Sequence, residues 1–344
     1  MSPAEALAQE LVRRGRDILL VTDERGDRYT KTFPANEKFL ISAATPSIGG
    51  PIAKASAAIS ILRGYAAARQ QFKTLKPIAA VGFGGYPSLP AMKAAAMMGM
   101  KYGVHEQNSV LGRANRLLVK KASFVAHAFP VLAKAPNGIE TIEVGNPVRD
   151  AVLARAGTPI ASFDNGIKIL IIGGSQGASL FSAIPANAIC ALPEPLRAKL
   201  SIVHQVREDD GDKARAAYHA AGIKAEVAPF FSDLPDRLAA AHLVISRAGA
   251  SSITELSAVG RGSILIPLAI AMDDHQTGNA SVLSEASAAI VLPEKTFNED
   301  ALGTVLTTLL ANPARLDAMA SAAHNTVKFA AASALADLVE ELAA

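Results

Sequence analysis

The sequence predicts an α/β protein made of two doubly wound domains in tandem. Short apolar runs are each followed by a glycine-containing turn and then by a segment with helical spacing, as in parallel sheets connected by helices. This pattern fades in the segment from Ala154 to Gly166, which contains many small residues and a proline and shows no periodicity. The pattern restarts at Ile167. At 344 residues the chain is long enough for two full cores. We therefore expect one domain over 1–153 and a second over 154–325, with a C-terminal helix at about 326–344 packing back on the first.

The first domain begins with a helix, since apolar residues recur at helical spacing from Ala4 to Arg13. A helix at this place is unusual, because a strand and a phosphate loop ordinarily precede the first helix of such domains. The remaining predicted elements are a strand at Asp17–Thr22, an apolar run at Phe39–Ala44, a Pro/Gly break ending at Pro51, a helix at Ala53–Phe72, a strand at Pro77–Val81, a loop at Gly82–Tyr86, a helix at Leu89–Met98 and a strand at Lys101–His105.

The second domain opens with the buried strand Ile167–Ile172, the glycine loop Gly173–Gly177 and a helix from Ala178 to Cys190. The last forty or so residues are predicted to be helical, with a break at Pro313. Further strands are predicted at Ser201–Gln205, Ala225–Val227, Leu243–Ser246, Gly262–Ile266 and Ala289–Leu292. Ligands of parallel sheets bind at the carboxyl ends of the strands, so we expect one nucleotide site and one second-substrate site on two facing sheets.

Composition excludes several classes of protein. Half of the residues are apolar, yet no uncharged apolar run is long enough to cross a membrane, and the first residues do not read as a cleavable signal. The single cysteine, Cys190, rules out an internal disulfide framework and a multi-cysteine zinc site. Its apolar neighbours indicate a buried small hydrophobe. These features predict a cytoplasmic protein.

The charge is unevenly distributed along the chain. Residues 1–150 carry a net charge of +9, whereas the remainder carries −6. Such a basic half is suited to an anionic membrane surface or to nucleic acid. Because no aromatic residues suited to base stacking are interleaved with the bases, we expect a membrane surface and no nucleic acid. The bases cluster at Arg63, Arg69, Lys73 and Lys76, and at Arg113, Arg116, Lys120 and Lys121.

The stretch from Ser246 to Asn279 carries the strongest chemical signal. A buried strand ends at Ser246, a turn with Gly249 follows, and a helix then begins among hydroxyl residues. Such a helix start directs backbone N–H groups and a helix dipole at an anion, usually a phosphate. An ordinary strand-to-helix turn with solvated polar residues is the alternative interpretation. Polar groups around an anion site suit a sugar nucleotide.

Five motifs in this order resemble the MurG family. They are Gly82-Phe-Gly-Gly-Tyr-Pro-Ser88, His105-Glu-Gln-Asn108, Gly145-Asn-Pro-Val-Arg149, Gly173-Gly-Ser-Gln-Gly-Ala178 and the Ser246–Asn279 stretch. The resemblance covers nearly the whole chain, whereas any one glycine loop alone would be a weak signal. It implies a GT-B fold with two Rossmann-like domains facing across a cleft. It also implies an inverting, metal-independent enzyme without a cofactor.

The implied reaction belongs to peptidoglycan synthesis. The family moves N-acetylglucosamine from its UDP donor to the C4 hydroxyl of undecaprenyl-diphosphate-linked N-acetylmuramoyl-pentapeptide. The implied partners are this donor, this lipid-linked acceptor, the anionic inner-membrane surface and cell-wall synthesis complexes. The implied location is peripheral, on the cytoplasmic side of the cell membrane.

The resemblance also implies roles for individual residues. Ser175 would contact the donor diphosphate, with Arg149 beside it at the hinge, and Asn108 would reach the donor sugar from the first domain. Phe231 lies where the family holds the uracil through its backbone. The phosphates would meet the helix start formed by Ala250, Ser251, Ser252, Ile253 and Thr254, the ribose hydroxyls would meet Glu255, and the sugar hydroxyls would meet Gln276 with His275 before it.

The proton of the attacking hydroxyl requires a base, and His105 and Glu106 are the candidates in this sequence. A core or supporting role is equally open to both residues. The pair Asp273-Asp274 resembles a metal site, but its place beside His275 favours sugar contacts.

One departure concerns the start of the chain. The family has a strand and the loop G-G-T-G-G-H directly ahead of the helix that opens this sequence, and its histidine is a favoured base there. Met1 to Glu5 correspond to the residues just after that loop. We expect a misassigned start codon to account for this. Two other interpretations stay open: another GT-B enzyme, such as a glycolipid synthase or an epimerase-like protein, and an inactive binding protein.

Overall fold

The computed structural model describes residues 1–43, 51–173 and 179–343. The chain divides into two compact units, Met1–Arg149 with Lys328–Ala344, and Asp150–Val327. The first division falls at Arg149, where the sequence analysis expected residue 153. Within the described residues, no helix combines the length and the apolar character that crossing a membrane requires.

The strands and helices are as follows. The strands are β1 (Leu19–Thr22), β2 (Glu37–Leu40), β3 (Ala79–Gly82), β4 (Lys101–Glu106), β5 (Phe124–His127), β6 (Ile142–Glu143), β7 (Ile167–Ile172), β8 (Leu200–Gln205), β9 (Lys224–Ala228), β10 (Leu243–Ser246), β11 (Ser263–Leu265) and β12 (Ala289–Val291). The helices are α1 (Ser2–Arg13), α2 (Glu24–Asp27), α3 (Pro51–Leu75), α4 (Gly85–Met97), α5 (Arg113–Arg116), α6 (Asp150–Leu153), α7 (Ser179–Cys190), α8 (Glu194–Arg197), α9 (Gly211–Ala220), α10 (Leu234–Ala240), α11 (Ala250–Val259), α12 (His275–Glu285), α13 (Glu299–Leu310), α14 (Pro313–His324) and α15 (Ala331–Ala343).

Unit 1 contains two parallel sheets. β1 pairs with β2, and a four-stranded sheet has the order β3-β4-β5-β6. Helix α15, near the C-terminus, packs against α1, near the N-terminus, and against strands β3 and β4. Its residues Leu335 and Leu342 share a core with Leu7 and Leu11 of α1 and with Phe124 of β5. The last helix of the chain therefore completes the core of unit 1.

Unit 2 contains a six-stranded parallel sheet in the order β12-β11-β10-β7-β8-β9. The two faces of β7 and β10 are covered: Ile169 and Leu243 on one face and Leu170 and Val244 on the other are fully buried, as expected for the central strands of a doubly wound sheet. Strand order reverses between β7 and β10, because successive strands are added outward on both sides of this pair. Ligands of such sheets bind at this reversal point.

The structure differs from the sequence prediction at several places in unit 1, among them the start of α4 and the strands β5 and β6. Helix α4 begins at Gly85, inside the predicted loop, because Pro87 falls in its first turn, where proline costs no hydrogen bond. Strands β5 and β6 were not predicted. β5 has four residues, and the Phe124 ring occupies the space beside Gly103 of β4, where a Cβ atom would lie 2.1 Å from the ring. That pairing depends on packing between strands, which a local pattern does not record.

Candidate active site

The carboxyl end of β4 carries a group of polar residues in unit 1. His105 is fully buried and Glu106 is 3% exposed. The Nε2 atom of His105 lies 2.9 Å from the carbonyl oxygen of Gly145, so Nε2 carries the proton, and the Gln107 amide donates to Nδ1 at 3.1 Å. Burial lowers the pKa of His105 to about 4. Both ring nitrogens are thus occupied, and this neutral ring has little capacity to take a proton from a substrate.

Glu106 holds the loop that follows β4. Its buried carboxylate accepts four hydrogen bonds from N–H groups, which occupy about as many sites as its two oxygens offer. The donors are the backbone N–H of Asn108 at 3.1 Å, the Asn108 side-chain amide at 3.1 Å, the backbone N–H of Gly112 at 2.9 Å and the Asn115 side-chain amide at 2.8 Å. The geometry therefore favours a structural role for Glu106, in which it holds the loop after β4, over the role of a base.

Asn108 and Arg149 both belong to unit 1, where Asn108 follows β4 and Arg149 follows β6. The hydrogen bond to Glu106 fixes the Asn108 side chain, which is half-buried. Arg149 is also half-buried and is the last residue of unit 1 before Asp150. Their contacts with a donor stay predictions.

The start of α11 has the properties expected of an anion site. β10 ends at Ser246, Gly249 is the N-cap residue, and no side chain caps the helix. The N–H groups of the first helical turn have no partner within a helix, and those of Ala250, Ser251 and Ser252 lie in that turn. Ser251 is exposed and Ser252 is half-buried, so both side chains are accessible to solvent in this turn.

The other predicted residues of α11 are Ile253, Thr254 and Glu255, and the first two already use a donor group within the helix. The backbone N–H of Ile253 donates to the Gly249 carbonyl at 3.0 Å, and the hydroxyl of buried Thr254 donates to the Ala250 carbonyl at 2.9 Å. Both groups are used within the helix, which leaves the three preceding residues as the candidate phosphate donors. Glu255 lies one turn further along and is half-buried.

Phe231 lies in the loop between β9 and α10 and is 8% exposed. The guanidinium of Arg237 lies 4.1 Å from the centroid of its ring. Arg237 also donates to Glu226 of β9 and to Asp233 at 2.7–2.8 Å. The Phe231 side chain therefore anchors this loop to α10 through its contact with Arg237.

The loop after β11 leads into α12, which begins with His275 and Gln276. Asp273 and Asp274 both have positive φ, and the Asp274 carboxylate accepts a hydrogen bond from the Thr277 hydroxyl at 2.7 Å. The side-chain oxygen of Gln276 accepts from the Leu268 backbone N–H at 3.0 Å, which directs its NH₂ group away from that loop. Gln276 is thus oriented to donate.

Arg247 is a further polar residue of this region that the sequence did not predict. This residue is 7% exposed, donates to the Ile266 carbonyl at 3.3 Å and to Glu294 at 2.9 Å, and lies 4.9 Å from the Phe181 ring centroid. The other Glu294 oxygen accepts from the Ala269 backbone N–H at 2.6 Å. Arg247 therefore connects the end of β10 to α7 and to the loop after β11, and its position before Gly249 was the available signal.

The described residues fall into two groups. His105, Glu106, Asn108 and Arg149 belong to unit 1, whereas the residues from Phe231 to Gln276 belong to unit 2. Those at the start of α11 and of α12 follow the neighbouring strands β10 and β11, and Phe231 follows the edge strand β9. Ser175 lies outside the described residues. Across residues 1–43, 51–173 and 179–343, no three His, Cys, Asp or Glu side chains are grouped closely enough to hold a metal ion.

Comparison with known proteins gives matches over the whole chain. The glycosyltransferase family 28 N-terminal domain matches residues 1–127, and the glycosyltransferase family 28 C-terminal domain matches residues 168–341. The UDP-N-acetylglucosamine–N-acetylmuramyl-(pentapeptide) pyrophosphoryl-undecaprenol N-acetylglucosamine transferase of Caulobacter vibrioides is 45% identical over 100% of this chain and 96% of that protein. The enzyme of the same name from Bradyrhizobium diazoefficiens is 45% identical over 99% of this chain and 94% of its own length.

Solved structures of glycosyltransferases are also similar to this chain. MurG of Acinetobacter baumannii superposes with a TM-score of 0.77 at 30% identity, covering 98% of this chain and 95% of that one. The glycosyltransferase of kitacinnamycin shares the fold, with a TM-score of 0.71 at 17% identity over 100% of this chain and 96% of its own. The predicted GT-B class with two Rossmann-like domains is confirmed. The chain belongs to the MurG family of glycosyltransferases, within glycosyltransferase family 28.

Proposed function

We propose that this chain transfers N-acetylglucosamine from UDP-N-acetylglucosamine to undecaprenyl-diphosphate-linked N-acetylmuramoyl-pentapeptide. The observation that carries the proposal is the 45% identity, over the whole chain, to a transferase whose name states this reaction. The uncapped start of α11 at the strand-order reversal of unit 2 supports it, because that is where a nucleotide diphosphate would bind.

The donor site of the proposal uses unit 2. The first-turn N–H groups of α11 would hold the diphosphate, and the helix dipole would stabilise the negative charge that develops as UDP departs. Backbone groups at Phe231 would hold the uracil, Glu255 the ribose and Gln276 the sugar hydroxyls. Ser175 is included on the family resemblance alone.

The acceptor hydroxyl attacks the anomeric carbon of the donor sugar, the bond to UDP breaks, and the configuration inverts in this single displacement. Its proton must go to a base. His105 and Glu106 are less suited to this step than their sequence positions suggested, because burial lowers the pKa of His105 to about 4 and the Glu106 carboxylate is engaged by N–H groups of its own loop. We assign both to holding the loop at the end of β4.

A membrane-held acceptor requires that unit 1 dock on an anionic surface, peripherally and from the cytoplasmic side. Helix α3 presents exposed Ile59 and Leu62 beside exposed Arg63 and Arg69. On the same helix Leu75 is also exposed, Ile61 and Tyr65 are half-buried, and Phe72 is buried in the core, which excludes it from insertion. Apolar side chains flanked by bases suit the boundary between headgroups and acyl chains.

The test is an assay with radiolabelled UDP-N-acetylglucosamine and the lipid-linked acceptor. We expect label in the lipid fraction only when acceptor is present. Release of free N-acetylglucosamine or of N-acetylmannosamine would contradict the proposal and indicate hydrolysis or epimerisation. Donor binding without any product would indicate a binding protein.

A further inference from the structure

Arg261 is a fully buried cation that is neutralised by backbone groups alone. It follows Gly260, the C-cap residue of α11, and is 1% exposed. Its side chain forms no ion pair with any carboxylate in the described part of the chain. It donates to five carbonyl oxygens: Leu238 at 3.1 Å, Thr158 at 2.8 Å, Gly260 at 2.6 Å, Val259 at 3.2 Å and Ala239.

These carbonyls come mainly from two helix ends. Leu238 and Ala239 lie in the last turn of α10, while Val259 and Gly260 end α11. The last carbonyls of a helix lack partners within it and together carry about half a negative charge. Two such ends around one guanidinium supply the charge compensation that a carboxylate ordinarily provides. Burial lowers the pKa of Arg261 to about 10, which leaves it charged at neutral pH.

The same two helices carry the two halves of the proposed donor site. Phe231 precedes α10 and packs against Arg237 of that helix. The start of α11 offers N–H groups for the diphosphate. The position of α10 therefore sets where the nucleobase would bind, and the position of α11 sets where the phosphates would bind.

We propose that Arg261 is a positioning residue that fixes the spacing between the nucleobase contact at Phe231 and the phosphate-binding start of α11. The planar guanidinium, with five donors in a rigid fork, joins the carboxyl ends of both helices. UDP binds tightly only when both of its halves are held at the correct separation. This role rests on the proposed function, because that function supplies UDP as the ligand.

The test compares fragments with the whole ligand on the full chain. Binding of uridine, pyrophosphate and UDP is measured by calorimetry for wild type, Arg261→Met, Arg261→Lys and the surface control Arg215→Met. For Arg261→Met we expect the Kd for UDP to rise about tenfold or more, while the Kd values for uridine and pyrophosphate change by less than about twofold. In the transfer assay the donor KM rises and kcat is retained.

The controls separate positioning from a loss of the fold. Arg215 is half-exposed and pairs with Asp212, so its variant should bind UDP as wild type does. Arg261→Lys keeps the charge with three donors, should give an intermediate Kd, and makes the same comparison if Arg261→Met does not fold. Unchanged UDP binding by both Arg261 variants, or equal losses for UDP and both fragments, would overturn the positioning role. A wild-type chain that binds no UDP would refute the proposed function, and this role with it.

Discussion

Glu106 is the residue whose interpretation changes most between sequence and structure. Its place at the end of a strand beside His105 suggested a base. In the fold, four N–H groups converge on its buried carboxylate from Asn108, Gly112 and Asn115. A carboxylate in this arrangement organises a loop, since each donor it satisfies would otherwise be buried without a partner.

Glu106→Gln replaces one acceptor oxygen with an NH₂ group that faces N–H donors. We expect unit 1 to lose about 1–3 kcal/mol of unfolding free energy, the cost of leaving a buried polar group unsatisfied. Transfer should weaken because the loop shifts, while the pH dependence of kcat/KM keeps its shape. Urea unfolding and a pH–rate profile measure the two effects.

If Glu106→Gln instead left stability intact and abolished the acidic limb of the pH–rate profile, Glu106 would be the base after all.

His204 makes unit 2 sensitive to acid. It is fully buried, and its ring bonds the Tyr218 hydroxyl at 2.9 Å and the Phe181 carbonyl at 2.7 Å. Burial lowers its pKa to about 4, below the ordinary value of 6.5. A depressed pKa means that the folded state resists protonation. The contribution of His204 to the free energy of unfolding is therefore fully present above about pH 6.5. It is lost as the pH falls toward 4, and the loss from this group is about 3 kcal/mol.

The measurement is urea unfolding at pH 7 and at pH 4.5 for wild type and His204→Gln. We expect a smaller pH-dependent loss in the variant. His219→Gln, at an exposed position of α9, should retain the full wild-type loss. Equal pH dependence in all three chains would count against a role for His204.

The site was predictable from sequence only where a motif is local. The α11 start was found because strand, glycine and helix are contiguous. Arg247 was not, because its partners Ile266 and Glu294 come from later parts of the chain. Likewise, Asn115 reaches Glu106 only after the chain has turned back, and no local pattern records this.

At the scale of elements, the C-terminal end of α11 requires one particular residue type at position 260. Gly260 has φ of 75°, and a Cβ atom there would lie 3.2 Å from the Cβ atom of His324 and 3.3 Å from the Ala320 carbonyl. The left-handed conformation and this close approach both require glycine.

We expect Gly260→Ala to lower the unfolding free energy of unit 2 by about 2 kcal/mol, because strain and crowding add. Gly222→Ala is the matched control. Its φ is 69°, with nothing within 4 Å of a Cβ atom, so strain alone should cost about 1 kcal/mol. Chemical denaturation of both variants measures the difference, and equal losses would show that the α14 contact is unimportant.

Long, buried elements were predicted well and short ones poorly. β10 was predicted at its observed bounds, and β7 likewise, because continuous apolar runs between turn residues mark strands covered on both faces. β6 has two residues, and nothing in its composition distinguishes it from a loop. Such strands are created by the neighbour with which they pair.

At the scale of the whole molecule, charge separates the two halves. The basic first half belongs to unit 1, which is the half proposed to face anionic lipid. Lys73 and Lys76 are exposed near the end of α3. We expect the double reversal Lys73→Glu and Lys76→Glu to weaken binding to phosphatidylglycerol vesicles at least about tenfold, since each base near the surface contributes about 1 kcal/mol. Vesicle sedimentation measures it.

Lys213→Glu with Lys224→Glu makes the same change of charge on exposed residues of unit 2. This control should bind vesicles as wild type does, and UDP binding should be unchanged in both double variants. Equal weakening by the two reversals would mean that net charge alone, not the α3 surface, governs binding.

The last helix of the chain carries a consequence for the order of folding during synthesis. The core of unit 1 needs Leu335 and Leu342 of α15, whereas unit 2 is one uninterrupted stretch from Asp150 to Val327. The ribosome therefore releases all of unit 2 before the residues that close unit 1. Because domains generally fold as units during synthesis, the half that is translated first is the half that finishes folding last, and the surface that α15 covers on β3 and β4 stays exposed while unit 2 folds.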